Sequence, residues 1–110
     1  MNKSILDAIS SASGLSLYPI SSTHTGEQII YTETPISDDG IKNQYRLELN
    51  IVCKTLDKAN KTDKAIRQAL LSIGDLKQNG VLDIEINGGG TLTSEIGVHR
   101  LLYFNVLQGD

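Results

Sequence analysis

Residues 44–55 read QYRLELNIVCKT. Tyr45, Leu47, Leu49, Ile51 and Cys53 fall at every second position, with Arg46, Glu48, Asn50 and Lys54 between them. Val52 is the one apolar residue in the polar set. A period of two over this length predicts a β-strand buried on one side. That side needs a cover, and an amphipathic pattern follows at once. Over residues 58–73, Thr62, Ile66, Ala69, Leu70 and Ile73 recur at helical spacing, while Lys58, Lys61, Lys64, Arg67 and Gln68 take much of the remaining surface. Asp57–Lys61 and Asp63–Arg67 are i,i+4 pairs in the favourable order. Asp57 is the expected N-cap and Gly74 the expected stop. The cations read as a solvated helix face, because Asp57, Asp63 and Asp75 offset them and no aromatic lies among them.

Upstream, residues 28–34 (QIIYTET) alternate as a first strand, and Pro35 ends it or marks a sheet edge. Residues 36–43 contain Asp38-Asp39-Gly40, a turn signal. The two strands are therefore expected to form a β-hairpin with a long exposed tip. Adjacent aspartates also suggest calcium, but the EF-hand pattern needs more oxygen ligands and a late Glu, which are missing. Residues 4–11 predict a short helix with Ile5, Leu6, Ile9 and Ala12 on one face, a capping box from Ser4 and Asp7, and Gly14 as its stop. A helix this short must dock on the sheet. Residues 15–27 read as a connector pinned by Leu17, Tyr18 and Ile20, with Pro19 opposing a helix and SSTHTG (21–26) forming a polar loop. His24 has no histidine or carboxylate at metal spacing.

Downstream, residues 81–87 (VLDIEIN) alternate, with Leu82, Ile84 and Ile86 expected toward the core. Gly88-Gly89-Gly90 follows without the Lys-Ser/Thr of a phosphate-binding loop, so a flexible hairpin loop is expected there. The last strand spans residues 98–107, and a further short strand before Gly97 fits the pattern. It places Val98, Leu102, Phe104 and Val106, joined by Arg100, on one face. Leu101, Tyr103 and Leu107, with His99 and Asn105, lie on the other. Both faces are substantially apolar. Two helices on one side cannot cover both, and too little chain remains for another layer. A partner subunit is the expected cover, with Leu101, Tyr103 and Leu107 as its interface. His99 reads as a sheet-surface residue.

The chain has 110 residues, enough for a single domain over 1–110. A formal net charge of -3 argues against a dedicated nucleic-acid binder. The single Cys53 permits no internal disulfide and reads as a small buried hydrophobe. The N-terminal stretch is too interrupted by Asp7 and serines for a signal peptide, and no apolar run is long enough to span a bilayer. A soluble protein that stays where it is made is expected. No catalytic, metal or cofactor motif is visible.

The expected fold is α+β: a mostly antiparallel sheet of four to five strands with two helices packed on one face. This layout resembles the tail terminator (tail completion, tail-to-head joining) proteins of long-tailed bacteriophages and prophages. The resemblance lies in the N-terminal helix leading into Leu17-Tyr18-Pro19, Gln28-Ile29-Ile30-Tyr31 before an acidic turn, and the central strand from Tyr45 to Lys54. It continues through the helix over residues 65–73 and the closing strand with Arg100 and Tyr103-Phe104-Asn105-Val106. It implies a structural virion protein, not an enzyme, and no cofactor. Such a protein forms a hexameric ring on the tail tube, ends tube polymerisation and meets the head connector protein. DNA passes through its lumen without specific binding, and no membrane is involved. The implied location is the tail end of the virion at the head–tail interface, after assembly in the host cytoplasm. Thr23 and His24 in the polar loop, and Asp38, Asp39 and Ile41 at the hairpin tip, become the candidate contacts with tail tube or connector. An acidic chain suits a lumen that must not grip phosphate. The alternative is a small ferredoxin-like regulatory or ligand-binding module.

Overall fold

The computed structural model describes residues 2–109. Seven elements follow in order: α1 (Lys3–Ser13), β1 (Leu17–Pro19), β2 (Gln28–Asp38), β3 (Lys42–Cys53), α2 (Leu56–Leu76), β4 (Val81–Ser94) and β5 (Gly97–Gly109). A short 3-10 turn, Gln78–Gly80, leads into β4. The strands form one sheet in the order β1-β2-β3-β5-β4. Only the β1–β2 pair is parallel. The predicted α+β class therefore holds. The chain leaves β3 through α2 and enters β4, with β5 lying between them. This is one split βαβ unit, where a ferredoxin-like sheet has two.

β3 is the central strand, and its alternation is what the register uses. Tyr45, Leu47 and Leu49 face Val106, Phe104 and Leu102 across the β3–β5 ladder, and all six are buried. Ile51 and Ile29 pair on the other side. α2 lays Ala59, Ile66, Leu70 and Ile73 over this face, and α1 adds Ile5 and Ile9. Burying a side chain of this size stabilises by about 1.5–3 kcal/mol, so this layer dominates the fold's stability.

The helix ends differ from expectation. Asn2, not Ser4, caps α1: its Oδ1 accepts the Ser4 N–H at 2.8 Å. Gly14 ends α1 in the left-handed conformation, as predicted. Thr55, not Asp57, caps α2, while Asp57 sits in the first turn beside the helix dipole and pairs with Lys61. Gly74 is inside α2 rather than at its end. A Cβ there would stand 3.0 Å from the Ile84 backbone nitrogen, so this glycine lets the helix lie close on β4. The helix stops three residues later at Lys77, in the left-handed conformation.

The strands also differ from expectation. Leu17–Pro19, expected in a connector, pairs with Ile29 to Tyr31 as an edge strand, where the missing proline N–H costs nothing. β2 does not end at Pro35. It continues past a register shift to Asp38, along an edge that β1 no longer covers. The β2–β3 tip is therefore a tight turn on a long ladder, with Asp39 Oδ1 accepting the Ile41 and Lys42 N–H groups. Gly88 to Gly90 are not a hairpin loop. They lie within β4, where the register skips from Ile86 to Gly89, and the turn to β5 comes at residues 95–96. A second shift between Val81 and Asp83 takes Leu82 out of the alternation. Ile84 is buried as expected, Val81 is buried in place of Leu82, and Ile86 is 39% exposed.

Candidate functional site

Both helices lie on one face of the sheet, and the other face carries none. The β3–β5 register sets Gln44, Arg46, Glu48 and Asn50 on that open face, opposite Leu107, Asn105, Tyr103 and Leu101. The sequence-predicted interface residues Leu101, Tyr103 and Leu107 thus share one face and are half-buried. The Arg46 guanidinium lies 4.5 Å from the Tyr103 ring centre, a cation–π contact. Its Nε is 3.4 Å from Glu48, within ion-pair range but not aligned as a hydrogen bond.

The chain shelters one corner of this face. After β1, Ile20 takes a left-handed φ of 69°, unusual for a β-branched residue, and its N–H reaches the Tyr31 carbonyl. This turns residues 20–22 over Ile30, Leu101 and Tyr103 and leaves a cleft of about 370 Å³. Ile20 itself is 79% exposed. The rest of the loop is held by buried Gln28, whose Nε2 donates to the His24 and Gly26 carbonyls. Glu27 secures the base. It accepts the Lys54 N–H at 2.9 Å and binds the Lys58 ammonium, which together hold its carboxyl below the usual range.

The candidate contact residues form two groups. Thr23 and His24 lie in this loop, with the His24 ring stacked on Tyr18 at 5.8 Å. Asp38, Asp39 and Ile41 form the tip of the β2–β3 hairpin, and all three are exposed. β2 separates the groups. Its 11 residues span about 35 Å, so the two lie at opposite ends of the sheet.

Two polar constellations were not legible in the sequence. The first is a chain across three strands. Asn50 Oδ1 is 3.2 Å from His99 Nδ1, and His99 Nε2 is 2.7 Å from Ser94 Oγ. Ser94 Oγ also accepts the Ile96 N–H at 3.3 Å. The arrangement ties β3, β5 and β4 together at the hairpin end. The second lies on the helix side. Asp63, predicted only as a partner of Arg67, is buried and shared by two guanidiniums. Arg100 Nη1 reaches it at 2.6 Å, Arg100 Nε donates to Thr91, and Arg100 Nη2 donates to Asn60. The i,i+4 spacing disclosed Arg67. Nothing in the spacing discloses Arg100, which arrives by the β5 register. Beside this cluster, a cleft of about 500 Å³ opens between α2 and the Gly88–Gly90 stretch of β4.

No helix among the described residues is long and apolar enough to cross a membrane. Cys53 is buried, and burial pushes its thiol pKa up. No protein-family model matches the chain, and no curated protein matches it.

Proposed function

We propose that this chain is a ring-forming structural subunit of the tail-terminator kind. In this reading copies close into a hexameric ring on the end of a phage tail tube. The ring stops tube growth and offers its far side to the head connector, and DNA passes through the middle. The proposal rests on the resemblance of layout, and the observation that carries it is the sheet face without helices. Leu101, Tyr103 and Leu107 stay half open there, and an adjoining copy is the economical cover. Head-to-tail contacts between identical subunits make rings when the rotation closes. The loop with Thr23 and His24 and the tip with Asp38, Asp39 and Ile41 reach outward at opposite ends, which suits a subunit that must meet several neighbours. The role needs no catalysis and no cofactor.

The test is assembly. Negative-stain images and sedimentation of the purified chain, alone and with tail tube protein, should reveal closed rings. Monomers at every concentration, with no ring beside tube protein, would defeat the proposal.

A further inference from the structure

The Asp63 cluster holds two guanidiniums against one carboxylate, leaving one positive charge over. Arg67 is the less committed of the two. Its Nε meets Asp63, its side chain is 40% exposed, and its terminal nitrogens have no partner among the described residues. They adjoin the cleft whose other wall is Ile86, Gly88, Gly89 and Gly90. β4 is the outermost strand, so its outward backbone groups face no other strand.

The opposite character is found at the hairpin tip. Residues 36–41 carry Asp38 and Asp39, no cation, and two exposed isoleucines, Ile36 and Ile41. Asp39 is spent on its own turn, where the Lys42 and Ile41 N–H groups hold its carboxyl pKa down. Asp38 uses one oxygen for the Gly40 N–H at 2.8 Å and has the other free. The tip cannot fold back on the cleft of its own chain, because it ends a rigid ladder: β2 pairs with β3 to Asp38, and β5 pairs with β3 to Lys42.

We infer that the hairpin tip of one copy docks in the arginine–glycine cleft of the next, Asp38 meeting Arg67 and the tip isoleucines meeting Ile86. A guanidinium can take a carboxylate through two parallel N–H bonds, which sets direction as well as strength. The contact joins two different surfaces of the same chain, so it propagates head to tail. This rests on the ring reading and adds a second contact between neighbours to the covered sheet face.

The experiment uses two full-length variants, each with one broken half. Asp38→Arg spoils the tip and Arg67→Glu spoils the cleft. Ile86→Glu is the second cleft variant should circular dichroism find Arg67→Glu unfolded. In sedimentation, each alone should need at least about tenfold more protein to assemble than wild type. Mixed one to one, they should assemble again, since a sound tip on a sound cleft then alternates with a reversed tip on a reversed cleft, and every junction sets opposite charges together. Wild-type rings together with unimpaired assembly of Asp38→Arg would overturn the docking while leaving the ring intact. A mixture that assembles no better than either variant alone also overturns it. A wild type that never assembles, even with tube protein, removes both.

Discussion

Glu27 stands where the polar loop, the end of β3 and the first turn of α2 meet. One oxygen takes the Lys54 N–H and the other takes the Lys58 ammonium. These contacts favour the carboxylate and lower its pKa in the folded chain. The unfolded chain then binds the proton more readily. The contribution to stability is therefore present above the unfolded glutamate pKa and is lost as pH falls through the folded value. Lys58 is 47% exposed, so solvent screens the pair, and the contribution is about 1 kcal/mol. Glu27→Gln should lower stability by about that amount at pH 7, and the gap from wild type should shrink as pH falls below about 4. Urea melts at both pH values decide it. An equal loss at both would mean that Glu27 acts by packing alone. Sequence spacing could not disclose this carboxylate, because its partners lie 27 and 31 positions away and meet it only when β2 aligns with β3. The same holds for Arg100 on Asp63. Asp57–Lys61 and Asp63–Arg67 were legible because one helix turn brings them together.

Among the elements, β4 departs furthest from its sequence reading. Glycine runs mark turns and bulges alike, and only the partner strand decides between them. Here Gly89 has a φ of 155°, and a Cβ on it would collide with the Leu101 carbonyl oxygen. That oxygen belongs to a paired backbone and cannot swing aside. Gly90, one residue on, has open space around it. Gly89→Ala should therefore cost about 1–3 kcal/mol, and Gly90→Ala less than about 1. Guanidinium melts of the two variants against wild type would check this, and equal losses would refute the bulge. Other elements were legible in proportion to their period. The β3 alternation and the α2 stripe each repeat often enough to outvote an irregular residue. β1 has three residues and no period to read. The alternation expected in β4 is interrupted by the shift at Leu82, which moves Val81 into the core in its place, while Ile84 stays in the core as expected. The helix caps slipped by two residues because Asn2, Ser4, Thr55 and Asp57 are all competent caps, and the backbone path chooses among them.

At the scale of the molecule, an extended body of 44 × 23 × 21 Å carries its helices on one face only. Two adjacent leucines of β5 report on the two faces separately. Leu102 is fully buried under the helix layer, and Leu101 is half-buried on the open side. Leu102→Ala removes core packing and should cost about 2–5 kcal/mol in any assembly state. Leu101→Lys keeps a long aliphatic stem on the sheet and carries the ammonium to water, so the monomer should lose no more than about 1 kcal/mol. In a ring whose subunits cover this face, the same ammonium would be buried without a partner, and assembly should fail. The expected pattern is a variant with near-native denaturant stability that sediments as a monomer where wild type forms rings. Two results would contradict it. Assembly of Leu101→Lys like wild type would place the subunit interface away from this face. Destabilisation as large as that of Leu102→Ala would mean that the loop at residues 20–22 already seals this face within one copy.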